Sequence, residues 1–278
     1  ITEKLRLKSK PANLNRWKKV SRLEKNRKGI TKIALVGKYT ELADSYKSVN
    51  EALVHAGIHN KTEVEIEYFD SQDFNNGVTK FRPQGILIPG GFGGRGIDGM
   101  INVAKFARTK NIPFFGICLG MQVAVIEFAR NVLKISANST EFEKTTKHPV
   151  IALITEWMDK KGLTQIRNEN SDKGGTMRLG SQVCILEKNS KMSKMYGTRK
   201  ISERHRHRYE FNSNYLIKIK SKGMNVVGFS EDKNLVEAIE LKGHKWFVGC
   251  QFHPEFTSDP RTGHPLFNGF IRAAKVTK

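Results

Sequence analysis

A cysteine set between two glycines, Gly116-Ile117-Cys118-Leu119-Gly120, is the part of this chain best placed to do covalent chemistry. It follows the apolar run Ile112 to Phe115. A strand, a cramped turn that admits only small neighbours, and a helix make a nucleophile elbow, here with a thiol at its tip. A helix starting near Gly120 would point its positive end at the sulfur and favour the thiolate. Far downstream, His253-Pro254-Glu255 closes another apolar run. Residues two apart in extended backbone share a face, and Pro254 helps hold that segment extended. Glu255 can then orient His253 and stabilise its imidazolium, which gives a Cys-His-Glu set suited to acyl transfer. Taken singly, Cys118 also fits a buried core cysteine, and His253-x-Glu255 also fits a surface pair.

The third element is Pro89-Gly90-Gly91-Phe92-Gly93-Gly94-Arg95-Gly96. A plain loop, a phosphate cradle and an oxyanion hole all fit it, although the spacing matches neither the P-loop nor the dinucleotide fingerprint. As an oxyanion hole it would offer the Gly91 amide opposite the amide of Leu119, the residue after the nucleophile.

These groups need a frame. Short apolar runs at Lys32–Gly37, Gly85–Pro89 and Ile112–Gly116, and the alternation of charged and apolar residues at Glu63–Phe69, read as strands, with 44–56, 97–109 and 121–130 as helices between them. Asp44 or Ser45 is the expected N-cap of the first of these helices and Gly57 its stop. The alternation predicts a mostly parallel α/β sheet with helices on both faces, and such sheets bind ligands at the carboxyl ends of their strands. The Gly-rich turn and Cys118 both fall there. The second half is richer in strands, at 150–155, 177–186, 216–219, 226–230, 236–241 and 246–252, with a polar loop at 156–176 and a closing helix at 265–274.

The 278 residues are 38% hydrophobic, enough for a real core, and carry a net charge of +21. Residues 1–32 hold twelve Lys or Arg against Glu3 and Glu24, about half of that charge. A further basic patch runs from Lys188 to Arg208. The tail is lysine-dominated with a single aromatic, Trp17, which argues against nucleic-acid binding. A Lys-rich proteome, a surface facing an acidic partner domain, and a pocket for nucleotide phosphate remain as explanations. Leu14, Trp17 and Val20 fall at helical spacing, so residues 1–30 read as a basic linker helix and 31–278 as the folded domain. Three cysteines without a CxxC pair disfavour zinc and redox dithiols and fit a reducing compartment. No apolar run approaches the ~20 residues of a membrane span, and no secretory h-region opens the chain, so a cytoplasmic location is expected. The start at Ile1 fits a piece of a longer protein.

Together the strings G-I-C-L-G-M-Q around Cys118, P-G-G-F-G at 89–93 and H-P-E at 253–255 resemble class I (triad) glutamine amidotransferases. The segments 37–42, 174–180, 203–212, 251–256 and 263–267 narrow the resemblance to the glutaminase domains of CTP synthases, over about 31–276. The resemblance implies a class I amidotransferase, flavodoxin-like fold with added antiparallel strands. It implies hydrolysis of L-glutamine through a cysteinyl thioester, with Cys118 as nucleophile, His253 as acid and base, and Glu255 as its orienter. It places bound glutamine against Gly91, Leu119, Gly120, Met121, Gln122, Glu141 and Arg208, the last two pairing with its α-ammonium and α-carboxylate.

The ammonia would feed a synthetase domain that aminates UTP. ATP, UTP and Mg2+ belong to that partner, and this domain has no cofactor or metal of its own. GTP would act as an allosteric activator near Arg95, and the full-length enzyme would be a tetramer. No P-loop string occurs, so this chain alone is not expected to make CTP. Two other readings are a γ-glutamyl peptidase-like hydrolase and a non-catalytic binding module with basic tails.

Overall fold

Strand β1 (Ile30–Gly37) shows how the sheet is buried on both faces. Ile33 and Leu35 enter one apolar core, and Ala34 and Val36 enter another on the opposite side. Neighbouring side chains of a strand point to opposite faces, so an unbroken apolar run marks a strand covered on both. The same division recurs in β3 (Gly85–Ile88) and β4 (Phe114–Ile117), where Phe114 faces one core and Phe115 the other. The computed structural model describes residues 2–8, 10, 12–40, 43–72, 80–153 and 177–275. The expected loop at 156–176, and with it Gly174, Gly175 and Thr176, lies outside the described residues.

The other strands are β2 (Glu63–Asp70), β5 (Ala137–Ser139), β6 (His148–Leu153), β7 (Arg178–Leu186), β8 (Lys200–His207), β9 (Tyr209–Phe211), β10 (Met224–Ser230), β11 (Val236–Leu241) and β12 (Phe247–Cys250). Nine of them form one sheet in the order β2-β1-β3-β4-β12-β11-β10-β7-β8. The first five are mutually parallel and the rest run antiparallel. β5, β6 and β9 form a small second sheet. The helices are α1 (Asn15–Lys25), α2 (Lys47–Asn60), α3 (Ile97–Thr109), α4 (Leu119–Asn131), α5 (Lys191–Tyr196), α6 (Leu216–Ser221) and α7 (Pro265–Ala274). The pair α3 and α4 covers one face of the sheet, and α2 with α7 the other. Arg108 of α3 ties its helix to α4 through two 2.8 Å bonds to the buried Glu127. Among the described residues no helix is long and apolar enough to cross a membrane.

Three expectations need correction. Neither Asp44 nor Ser45 caps α2: both lie inside a 3-10 turn, Ala43–Tyr46, and Tyr46 stands at the N-cap with no side-chain cap bond. Leu216 to Ile219 is a helix, not a strand. Asn212 caps the preceding turn by accepting from Asn214 N–H, and only Ile219 of the following helix is buried, with Ile217 79% exposed. Gly57 does not stop α2, which runs on to Asn60 and ends at left-handed Lys61 (φ 54°). Gly57 is needed for a close approach instead, since a Cβ there would lie 2.8 Å from Thr62 O. The linker region contains α1, with Val20 buried and Leu14 and Trp17 exposed.

Candidate active site

The elbow at Cys118 is built by sterics. Cys118 has φ 52° and ψ −103°, a conformation strained for a residue with a side chain, between the end of β4 and the first turn of α4. A Cβ at Gly116 would come within 2.6 Å of the Gly120 backbone. A Cβ at Gly120 would collide with the Ile88 carbonyl. Only glycine on both sides lets strand and helix approach closely enough to lift Cys118 out of the sheet. Cys118 N–H donates to Cys250 O at 2.7 Å, locking the elbow to β12.

β12 ends just before His253. Its Nδ1 is bonded to Glu255 Oε1 at 2.7 Å, within a short 3-10 turn, Pro254–Thr257. Gly90, just after β3, lies between Cys118 and His253: a Cβ there would be 2.6 Å from His253 Cε1 and 3.6 Å from Cys118 Cβ. On the other side the Phe256 ring stacks on His253 at 5.3 Å. Burial disfavours the charged imidazole, but Cys118 and Glu255 outweigh it and push the His253 pKa up to about 10. Among the described residues, no atom stands in hydrogen-bonding geometry to the buried His253 Nε2. Cysteine, histidine and carboxylate thus meet at the carboxyl ends of parallel strands.

β8, at the far edge of the sheet, curls back onto this turn. The Arg204 carbonyl accepts from His253 N–H at 2.8 Å. Glu203 accepts from Thr257 Oγ1 at 3.0 Å and from Tyr196 at 2.7 Å. His264 lies 2.9 Å from the same carboxylate. Its Nδ1 accepts from Leu266 N–H, so its Nε2 carries the proton and donates to Glu203.

Gly91 lies at the mouth, where a side chain would press on Leu119 at 3.1 Å. The Leu119 amide opens α4 and has no partner within the helix. Glu141 accepts from Gly93 N–H at 2.7 Å. Burial raises its pKa, and Gly93 N–H, Lys38 and Arg208 draw it back down. Arg208 is the single residue between β8 and β9, where the chain crosses from one sheet to the other. Met121 is fully buried and its side chain packs toward Gly249. Gln122 is also buried and spends its amide nitrogen on Tyr209 O and Gln251 Oε1. Arg95 stands apart and exposed, 3.5 Å from Asp70 and over the Tyr39 ring.

Lys38 received no individual role from the sequence. It is buried at the end of β1, donates to the carbonyls of Phe92 and Gly93, and has a pKa lowered by burial to about 8. Its position after a strand-ending glycine was the available signal.

The class-I glutamine amidotransferase family model matches residues 41–273. The glutaminase domain of Trypanosoma brucei CTPS, solved with bound acivicin, is 36% identical with a TM-score of 0.76, covering 88% of this chain and 93% of that one. A putative GMP synthase subunit from Thermoplasma acidophilum is 17% identical with a TM-score of 0.50, covering 88% and 94%, a likeness of fold alone. With strained Cys118 on its elbow between β4 and α4, and a sheet shared with the trypanosome domain, this chain belongs to the class-I glutamine amidotransferases.

Proposed function

We propose that this chain hydrolyses L-glutamine to glutamate and ammonia, with Cys118 as nucleophile, His253 as acid and base, and Glu255 as the orienting carboxylate. The observation that carries the reading is the strained Cys118 elbow set against a buried His253 that is itself bonded to Glu255. The thiolate attacks the side-chain amide carbon and forms a C–S bond. The resulting oxyanion takes hydrogen bonds from the Gly91 and Leu119 amides. His253 gives its proton to the nitrogen, the C–N bond breaks, and ammonia leaves a glutamyl thioester. The neutral imidazole then takes a proton from water as its oxygen attacks the thioester. Expulsion of thiolate restores the starting pair, and the new carboxylic acid loses its proton to solvent. Glu141 and Arg208 supply opposite charges for the α-ammonium and α-carboxylate of the substrate.

The likeness to the trypanosome CTPS domain supports a narrower reading. The ammonia passes to a synthetase domain for ATP-dependent amination of UTP to CTP, in pyrimidine nucleotide synthesis in the cytoplasm. GTP acts as an activator near Arg95, in an enzyme that assembles as a tetramer. Ammonia release from glutamine, with and without GTP and a synthetase domain, tests both levels. Weak release alone, stimulation by the added pair, and complete loss in Cys118→Ala are expected. Undiminished release by Cys118→Ala would end the nucleophile assignment. Stoichiometric labelling of Cys118 by acivicin, read by mass, is expected of the same site.

A further inference from the structure

One buried amide beside the nucleophile has no part in the steps above. Gln251 is fully buried immediately after β12, two residues before His253. Its N–H donates to the Glu237 carbonyl at 2.8 Å, which fixes its backbone. Its side-chain Nε2 lies 3.6 Å from Cys118 Sγ. Which end of this amide faces the sulfur follows from its neighbours. The Tyr209 carbonyl can only accept, and Gln122 Nε2 donates to it at 3.0 Å. The same nitrogen lies 3.2 Å from Gln251 Oε1. Gln251 therefore turns its oxygen to Gln122 and its NH2 to Cys118. A thiolate is a far better acceptor than a thiol. The competing arrangement, a thiol donating to the Arg206 carbonyl, spans 4.0 Å and is the longer contact.

We propose that Gln251 is a further catalytic residue, whose side-chain N–H donates to the Cys118 sulfur and holds it as thiolate, and that Gln122 is the positioning residue that orients it. The proposal rests on Cys118 being the nucleophile. Gln251 keeps both its hydrogens throughout. Its bond is strongest when the sulfur is charged, before attack and again as water opens the thioester, and weakest in the neutral thioester between. The chain of two amides also links the nucleophile to Tyr209, the residue after Arg208. The geometry at the sulfur is thereby tied to the turn proposed to hold the substrate carboxylate.

The test is alkylation of Cys118 by iodoacetamide from pH 6 to 10, followed by mass, beside ammonia release from glutamine. A hydrogen bond to a charged group is worth at least a factor of about ten, so Gln251→Leu is expected to slow alkylation at pH 6–7 roughly tenfold. The deficit should close toward pH 10, and ammonia release should fall in parallel. Gln122→Leu is expected to give a smaller deficit of the same shape. A deficit equal at every pH, or none, overturns the proposal, because a merely structural role would not depend on ionisation. If Gln251→Leu does not fold, Gln251→Asn, which keeps the amide but withdraws it by one methylene, decides by the same profile. If Cys118→Ala abolishes ammonia release while Gln251→Leu alkylates like wild type, the nucleophile stands and the Gln251 proposal alone falls. If Cys118→Ala still releases ammonia, both fall.

Discussion

Strands β3, β4, β12 and the end of β1 bury only apolar side chains and glycine, whereas β7, β8 and β11 bury Arg178, Glu203, His205, His207 and Glu237. In the first group the strands do little but bring their ends together, and Cys118, His253 and Glu255 stand beyond those ends. In the second, polar groups inside the sheet bond to one another, although among the described residues His205 Nε2 and Glu237 Oε2 are buried without a hydrogen-bond partner. Arg178 bonds Glu210 at 3.1 Å and Glu237 at 2.7 Å, and His205 Nδ1 lies 2.9 Å from His207 Nε2. The apolar half resists change by packing. The polar half depends on every partner being present, since a buried charge that loses its partner costs more than the pair contributes.

Four experiments would break or sharpen this contrast. The largest effect is expected from Gly120→Ala in the apolar half. Its methyl would collide with the Ile88 carbonyl, so either no folded protein or a loss of about 4 kcal/mol or more is expected in urea melts. Arg178→Met comes next. Stranding Glu210 and Glu237 is expected to cost about 3–5 kcal/mol at pH 8. Burial already raises the Glu237 pKa and Arg178 draws it down. Without the arginine the pKa rises further, the folded state gains a proton that the unfolded chain lacks, and the deficit should shrink as pH falls. A deficit independent of pH would refute the stranded-carboxylate account.

Acid should also separate the halves in the wild-type protein. Burial, then Arg178, lowers the His205 pKa to about 3, and burial lowers His207 as well. Unfolded histidines take protons below about pH 6.5 while these two do not, so stability is lost as pH falls from there. His205 alone accounts for about 2 kcal/mol at pH 5. Hydrogen exchange at pH 5 is expected to show β7 and β8 losing protection before β1, β3 and β4. Simultaneous loss would mean the halves unfold as one unit. Smallest is Lys200→Ala, which removes an exposed 2.9 Å pair with Glu231 and should change stability by no more than about 0.5 kcal/mol.

What the sequence disclosed divides along the same line. β1, β3, β4 and the elbow were legible because burial on both faces writes an unbroken apolar run, and the close approach at Cys118 requires glycine on each side. β8 was not legible. Its buried face is Ile201, Glu203, His205 and His207, alternating with exposed Lys200, Ser202, Arg204 and Arg206, so the stretch read as a basic patch although its period is two. The short helix α5 carried a Ser190 cap and a left-handed Gly197 stop, but at six residues its apolar stripe of Met192, Met195 and Tyr196 was too short to stand out from the basic patch around it. Leu216 to Ile219 misled because an apolar run that short fits either period. Of the residues expected at the site, Gln122 was visible as a type and position, but its bond to a second buried amide is a tertiary fact that no local spacing encodes.

The packing around His253 has a consequence for traffic through the site. Gly90 backs the ring on one side, Phe256 stacks on another, and Glu255 holds Nδ1. A ring so confined cannot turn over between steps, so it has a single address for protons, at Nε2. In the reaction proposed above, ammonia would collect its proton there and water would later surrender one at the same spot, so the two small molecules could not overlap in time. Water would wait until ammonia had vacated the berth, and the order of departure and arrival would be set by the walls around one imidazole.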